Sequence, residues 1–233
     1  MNILSLDTST ETLSIALQTE GSYEERLIRG NFSHSENLLR EIENMLERAS
    51  LKLSDLDTLV CTQGPGSFTG LRVGMATLKA IRTGCGARLV SIPTLEAIAV
   101  TAEKLFKGAV LSVIDAKKKR FYIEMRVDGE VVVPVRDGNP EDIIEELRKH
   151  DRVLITGPDA EKFMSKIDTA LLPDTSFIVD DGGMRNLSKA LIKLGLERLE
   201  TVGEDEIGAG PIYVRRSDAE EALLKKIRDN EKK

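Results

Sequence analysis

Residues 4–21, LSLDTSTETLSIALQTEG, and residues 112–129, SVIDAKKKRFYIEMRVDG, lay over one another with Asp7 on Asp115 and Gly21 on Gly129. Each stretch is an apolar strand ending in Asp, a tight polar or charged connection, a second strand and a Gly at the next turn. The pair reads as an internal duplication. The plainer alternative is that any two β-hairpins look alike.

Working outward, Leu38, Leu39, Ile42, Met45, Leu46 and Ala49 repeat at helical spacing, and Ser33 with Glu36 fits a capping box. A short strand over Asp57–Thr62 leads into the loop Gln63–Ser67 and a second helix that runs to about Thr83. Leu89–Ile92 is a strand closed by Pro93, with Thr94 capping a helix to about Phe106. Beyond the second hairpin, the pattern predicts a strand at Val131–Val135, a helix near Glu141–His150, a strand at Val153–Thr156 and a helix near Leu187–Leu199. Each half is strands first, then helix and strand in alternation. That order predicts an α/β protein of two ribonuclease-H-like lobes, each a mixed sheet with flanking helices, over residues 1–107 and 108–233. No linker rich in Pro, Gly or Ser divides them, so close packing is expected. The tail opens strand-like as IYVRR from Ile212 and ends as a charged helix, a C-terminal segment able to pack back on the first lobe.

Composition limits the function. The 233 residues carry a net charge of −6 and a pI near 5.2, which argues against a chain that wraps nucleic acid by itself, since that binding rests on neutralised phosphates. Cys61 and Cys85 have no CxxC spacing and read as two reduced, buried thiols of a cytoplasmic protein. Polar residues break Met1–Leu17 every two or three positions, so it is neither an apolar signal stretch nor a membrane span.

GPGSFTG, Gly64–Gly70, lies between a strand and a helix, where free backbone N–H groups favour an anion. It lacks the lysine of a phosphate-binding GxxxxGK[ST] loop, and a tight turn that packs the helix close to the sheet is an equal or better reading. In that helix Gly70, Gly74, Thr77, Ala80 and Gly84 form a stripe of small residues, and each interior glycine costs about 1 kcal/mol relative to Ala. Something must lie close against the stripe: the protein's own sheet or first helix, or a partner helix. Asp7 and Asp115 end matching strands, from which carboxylates can hold a metal or activate water. Lys117, Lys118, Lys119 and Arg120 fill the second hairpin, as a solvated tip or as an electrostatic contact. The two histidines, His34 and His150, stand far apart, which speaks against a His-pair metal site. DGGMRN, Asp181–Asn186, is too short in spacing for an adenosine-binding turn.

ILSLDTSTETLSIAL at the start, HSENLL at His34–Leu39, GPGSFTGLRVG at Gly64–Gly74, SIPTLEAIA at Ser91–Ala99, IDAKKKRFY at Ile114–Tyr122 and PIYVR at Pro211–Arg215 together resemble the TsaB (YeaZ) family. The resemblance implies an actin-like fold related to TsaD, which transfers a threonylcarbamoyl group to an adenosine beside the tRNA anticodon. It implies a non-catalytic subunit that binds and activates TsaD. No residue is then catalytic, no metal is bound, and there is no cofactor of its own, since ATP and metal belong to partner subunits. TsaD and TsaE are the implied protein partners, a homodimer forms when the chain is alone, and tRNA is met only through the complex.

The implied partner surface is His34, Leu38, Leu39, Ile42, Met45, Leu46, Gly70, Val73, Gly74, Thr77 and Leu78. A charged substitution at Gly74 or Leu38 is expected to abolish pairing while leaving the fold intact. Asp7, Thr8, Ser9, Thr10, Gly64, Pro65, Gly66, Ser67 and Asp115 remain as a vestigial ligand cleft. Competing readings are a glycoprotease-like metallopeptidase, an actin-like ATP-binding enzyme and a free-standing tRNA-binding module.

Overall fold

The computed structural model describes residues 1–29, 34–180 and 187–215, with the backbone alone for residues 34–37. The Ser33–Glu36 capping box, the side chain of His34, residues 181–186 and the charged end of the tail lie outside the described residues.

The first sheet is built from β1 (Ile3–Asp7), β2 (Thr12–Gln18), β3 (Tyr23–Arg29), β4 (Thr58–Gly64) and β5 (Arg88–Pro93), with α1 (His34–Arg48), α2 (Phe68–Cys85) and α3 (Thr94–Glu103) between or after its strands. The second holds β6 (Ala109–Lys117), β7 (Arg120–Val127), β8 (Glu130–Gly138), β9 (Arg152–Thr156) and β10 (Ser176–Asp180), with the short helices α4 (Ile144–Leu147) and α5 (Ala160–Met164) and the closing helix α6 (Ser188–Thr201). The strand orders are β3-β2-β1-β4-β5 and β8-β7-β6-β9-β10. In both, the first three strands are antiparallel and the last two join the first in parallel. One topology therefore occurs twice, and Asp7 and Asp115 lie at the carboxyl ends of the corresponding strands.

The structure differs from the sequence expectations at three places. β3, YEERLIR, and β10, SFIVD, are outer strands with half-wetted faces, so they lack a strong apolar alternation. The helix expected over 141–150 is a 3-10 turn at Pro140–Ile143 followed by only four residues of α4. Thr94 is the first residue of α3 and Pro93 the flanking one, without a side-chain cap.

Leu38, Ile42, Met45 and Leu46 of α1 pack with Leu4, Leu6, Leu13, Ile15, Met75 and Leu78 in one core. Each such buried side chain contributes about 1.5–3 kcal/mol. A second core fills the far side of the second sheet around Phe121 and Phe163, whose rings meet edge to face at 5.0 Å. Between the sheets lies a third apolar layer, in which Ile3, Val60 and Val90 meet Leu95 and Ile98 of α3, Leu191 and Ile192 of α6, and Ile114 of β6. This layer joins the two lobes. Among the described residues, no helix is long and apolar enough to cross a membrane.

Candidate functional site

The strand-to-helix loop predicted at residues 63–67 is present, and Ser67 caps α2 by accepting the Gly70 N–H on its hydroxyl at 3.2 Å. The Ser67 N–H is itself taken by the Ser9 carbonyl at 2.6 Å, and the Thr8 hydroxyl donates to the Gly70 carbonyl at 2.7 Å. A Cβ on Gly66 would strike the Ser9 carbonyl, one on Gly70 the Thr8 carbonyl, and one on Gly74 the Thr8 hydroxyl. The glycines therefore allow loop and helix to close on the β1–β2 turn.

Asp7, Thr8, Ser9, Gly64 and Pro65 are buried, Thr10 and Gly66 are partly buried and Ser67 is exposed. Oδ1 of Asp7 accepts from the Ser9 N–H at 2.9 Å, the Ser9 hydroxyl at 2.6 Å and the Thr62 hydroxyl at 2.8 Å. The Thr10 hydroxyl donates to the Thr12 carbonyl at 3.4 Å and accepts the Thr12 N–H at 3.3 Å.

Asp115, in the second lobe, accepts the Lys117 N–H at 2.8 Å on one oxygen and the Lys162 ammonium at 2.6 Å on the other. Burial by itself would raise the Asp115 pKa, but Lys162 and the Lys117 N–H outweigh it and hold the carboxyl below its usual range. Lys117, Lys118 and Lys119 all adopt positive φ, so the second hairpin turns tightly without a glycine. The Cys61 thiol is buried and pushed up to about 12 by desolvation, while Cys85 is partly exposed. Among the described residues, no three His, Cys, Asp or Glu side chains gather as metal ligands would.

The helical surface differs from the expected one. Leu38, Ile42, Met45, Leu46 and Leu78 are at most 4% exposed and belong to the protein's own core. Gly70 and Gly74 are buried against Thr8. As partner contacts these positions are corrected to interior ones, and charge at Leu38 or Gly74 would disrupt the fold itself. Leu39, at 55% exposure, and the partly exposed Val73 and Thr77 do reach the surface. Leu39 and Thr77 line an open groove of about 540 Å³ with Leu53, Ala76, Ala80, Ile81 and Gly84. The lower half of the small-residue stripe thus packs inward and its upper half faces solvent. Leu53, Ala76 and Ile81 escaped the sequence reading, because Leu53 sits in a 3-10 turn that carries no helical period.

The segment after α6 does pack back on the first lobe, where the Asp205 N–H donates to the Leu89 carbonyl and the Ile212 N–H to the Gln63 carbonyl. The strand expected at PIYVR is absent: residues 211–213 have no sheet pairing and 214–215 bend. Tyr213 stacks on Phe68 at 4.0 Å, beside the cleft loop.

A model of the TsaD family, tRNA N6-adenosine threonylcarbamoyltransferase, matches residues 31–191. The chain is 29% identical over 227 residues to the tRNA threonylcarbamoyladenosine biosynthesis protein TsaB of Bacillus subtilis, covering 94% of this chain and 96% of that one. TsaB of Escherichia coli is 31% identical over 123 residues, 52% of this chain and 53% of that protein. The solved structure of YeaZ from Pseudomonas aeruginosa has the same fold, with a TM-score of 0.76 and 21% identity over 91% of this chain and 99% of its own. With the family model covering most of the chain and the two-lobed fold shared, the chain belongs to the TsaB (YeaZ) family, within the wider family of TsaD.

Proposed function

We propose that this chain takes part in tRNA threonylcarbamoyladenosine biosynthesis as a non-catalytic subunit. In this reading it binds a TsaD-type protein through the α1–α2 surface and activates threonylcarbamoyl transfer to adenosine. The observation that carries the reading is the open groove between α1, the Leu53 turn and α2, whose lining is apolar or small and whose rim includes Leu39 at 55% and Leu53 at 43% exposure. Apolar side chains gathered on a surface mark a place for another protein. The small residues Ala76, Ala80 and Gly84 let a second backbone approach closely.

The chemistry of the cleft supports the non-catalytic part. A general base must be within reach of a substrate proton and have a lone pair to receive it. Asp7 accepts three donors of its own lobe on Oδ1, and Lys162 with the Lys117 N–H lowers the Asp115 pKa, which makes that carboxylate a weaker base. ATP and metal are assigned to partner subunits, TsaE and tRNA join through the complex, and the same face serves a homodimer when the chain is alone. Activation follows if the groove binds the active state of the partner better than the inactive one.

The test is a reconstitution with TsaD, TsaE, tRNA, ATP and threonylcarbamoyl-adenylate, with and without this chain, scored by the mass of the tRNA nucleosides. Product that depends on the chain and survives Asp7→Ala and Asp115→Ala supports the reading. Equal product without the chain removes it.

A further inference from the structure

One end of the molecule carries a strip of cations and rings that the proposed function does not use. It starts near the beginning of α2, where the exposed Arg72 guanidinium lies 4.4 Å from the centre of the Phe68 ring and donates from Nε to the Tyr213 hydroxyl at 2.8 Å. Phe68 and Tyr213 stack with their planes 12° apart, and Tyr213 is 37% exposed. Two residues on, at most ~7 Å along the backbone, Arg215 donates to the Ala116 carbonyl at 3.3 Å. Lys117, Lys118, Lys119 and Arg120 follow Ala116 as the β6–β7 turn. Unbroken contacts thus carry the strip from the first lobe to the second. Its middle is firmly seated, because the Asp205 N–H, the Ile212 N–H and the Arg82 guanidinium all tie residues 205–212 to the first lobe. A site held in this way has little ordering left to lose on binding.

The strip is basic on a chain of net charge −6. Its carboxylates lie inward and are matched: Asp115, with a side chain 5% exposed, pairs with Lys162 and Lys117, and Asp137, 16% exposed, pairs with Arg120. Asp159 accepts the Asp115 N–H at 2.8 Å. Against these stand the consecutive cations of the turn, together with Arg72, Lys162 and Arg215. Lys117, Lys118 and Lys119 are all exposed.

The turn holds these lysines against backbone preference. Their φ angles are 63°, 54° and 66°, a region in which hairpin turns ordinarily carry Gly, Asn or Asp. Conformations of this kind persist where a function needs the side chain. The corresponding turn of the first lobe, Thr8–Glu11, takes no positive φ, and its Thr8 and Ser9 pack on the loop and helix of α2. One copy of the hairpin packs inward and the other projects charge.

Exposed lysines on flexible stems meet phosphates as point charges. A ring pair with an arginine beside it offers stacking surface to unstacked bases, which an acidic peptide would not use. We propose that Arg72, Tyr213, Arg215 and the turn Lys117–Arg120 form a contact strip for RNA. The inference rests on the function proposed above, which makes that RNA the tRNA held by the complex. Arg72 stands one helical turn before Ala76, which lines the groove assigned to the protein partner, so RNA on the strip lies beside that partner. The acidic balance of the chain keeps the strip weak by itself, and it adds to contacts made by the partner.

The test follows a fluorescently labelled tRNA transcript by anisotropy as it binds the complex of the full chain with TsaD, from about 50 to about 200 mM salt. A Lys118→Gln, Lys119→Gln double variant is compared with a Lys104→Gln, Lys107→Gln control, which removes the same charge from exposed positions at the opposite end of β6. The turn variant should bind about three- to tenfold more weakly at the lower salt, and its slope of log affinity against log salt should be shallower by about 1–2, since each neutralised phosphate contributes about 0.7–0.9. The control should match wild type, and both variants should co-elute with TsaD. An unchanged affinity and slope in the turn variant would overturn the strip, as would an equal loss in the control. Loss of co-elution in the turn variant alone would overturn it in favour of an acidic protein surface. If wild type itself fails to co-elute with TsaD before RNA is added, the proposed function fails, and the same titration of the chain alone decides the strip by the same two criteria.

Discussion

The Thr8 hydroxyl donates to the Gly70 carbonyl at 2.7 Å, which fixes the first turn of α2 against the β1–β2 connection. One turn further on, Gly74 leaves the room that the same Thr8 side chain occupies. Gly74→Ala should therefore destabilise the protein by about 1–3 kcal/mol despite the better helix propensity of Ala. The denaturant midpoint should fall at an unchanged slope. A midpoint equal to or above wild type would mean that Thr8 can move aside.

Leu39→Asp and Ala80→Glu place charge in the open groove without touching the core. Stability should stay within about 0.5 kcal/mol of wild type. Copurification with TsaD and dimerisation of the chain alone should both be lost. Intact complexes in sizing chromatography with both variants would move the partner surface elsewhere on the molecule.

Glu124, 5% exposed, leaves Oε1 without a hydrogen bond among the described residues. Burial raises its pKa above the ordinary 4.5; Arg126 opposes that shift, and Glu96 and Glu103 add to it. A raised carboxyl contributes stability that is fully present below the unfolded value and is lost as pH rises through the folded value. Wild type should thus lose stability on going from acid past 4.5 toward neutrality by a component that Glu124→Gln lacks. Urea titrations of both proteins across that window compare the slopes, and parallel curves would contradict the assignment.

Asp115 has the opposite sign. Its pKa is lowered, so its contribution is present above the unfolded value and disappears as pH falls through the folded one. Lys162→Met removes the ammonium 2.6 Å away and leaves a side chain only 5% exposed with less to hold its charge. Acid unfolding of the variant should begin at higher pH than that of wild type. Superimposable acid limbs would show that Lys117 alone suffices.

The sequence was most legible where burial is periodic. Leu38, Ile42, Met45 and Leu46 recur every three or four residues because one face of α1 must meet a sheet, and the structure places that face in the core. The same periodicity says nothing about whether an apolar face meets its own sheet or another protein, and for these four residues it meets its own. Outer strands such as β3 escaped because water reaches them and an alternating pattern is not required.

What the sequence determined by itself is the repeated strand-Asp-strand unit, the loop into α2 and membership of the family, since these rest on local residue types and their order. Tertiary structure decided the division of one helix stripe into an inward half at Gly70 and Gly74 and an outward half at Thr77, Ala80 and Gly84. It also decided the pairing of Tyr213 with Phe68, 145 positions away by their numbers. Both depend on which surfaces meet once the chain has folded, and contacts between distant residues leave no period in the sequence from which they can be read.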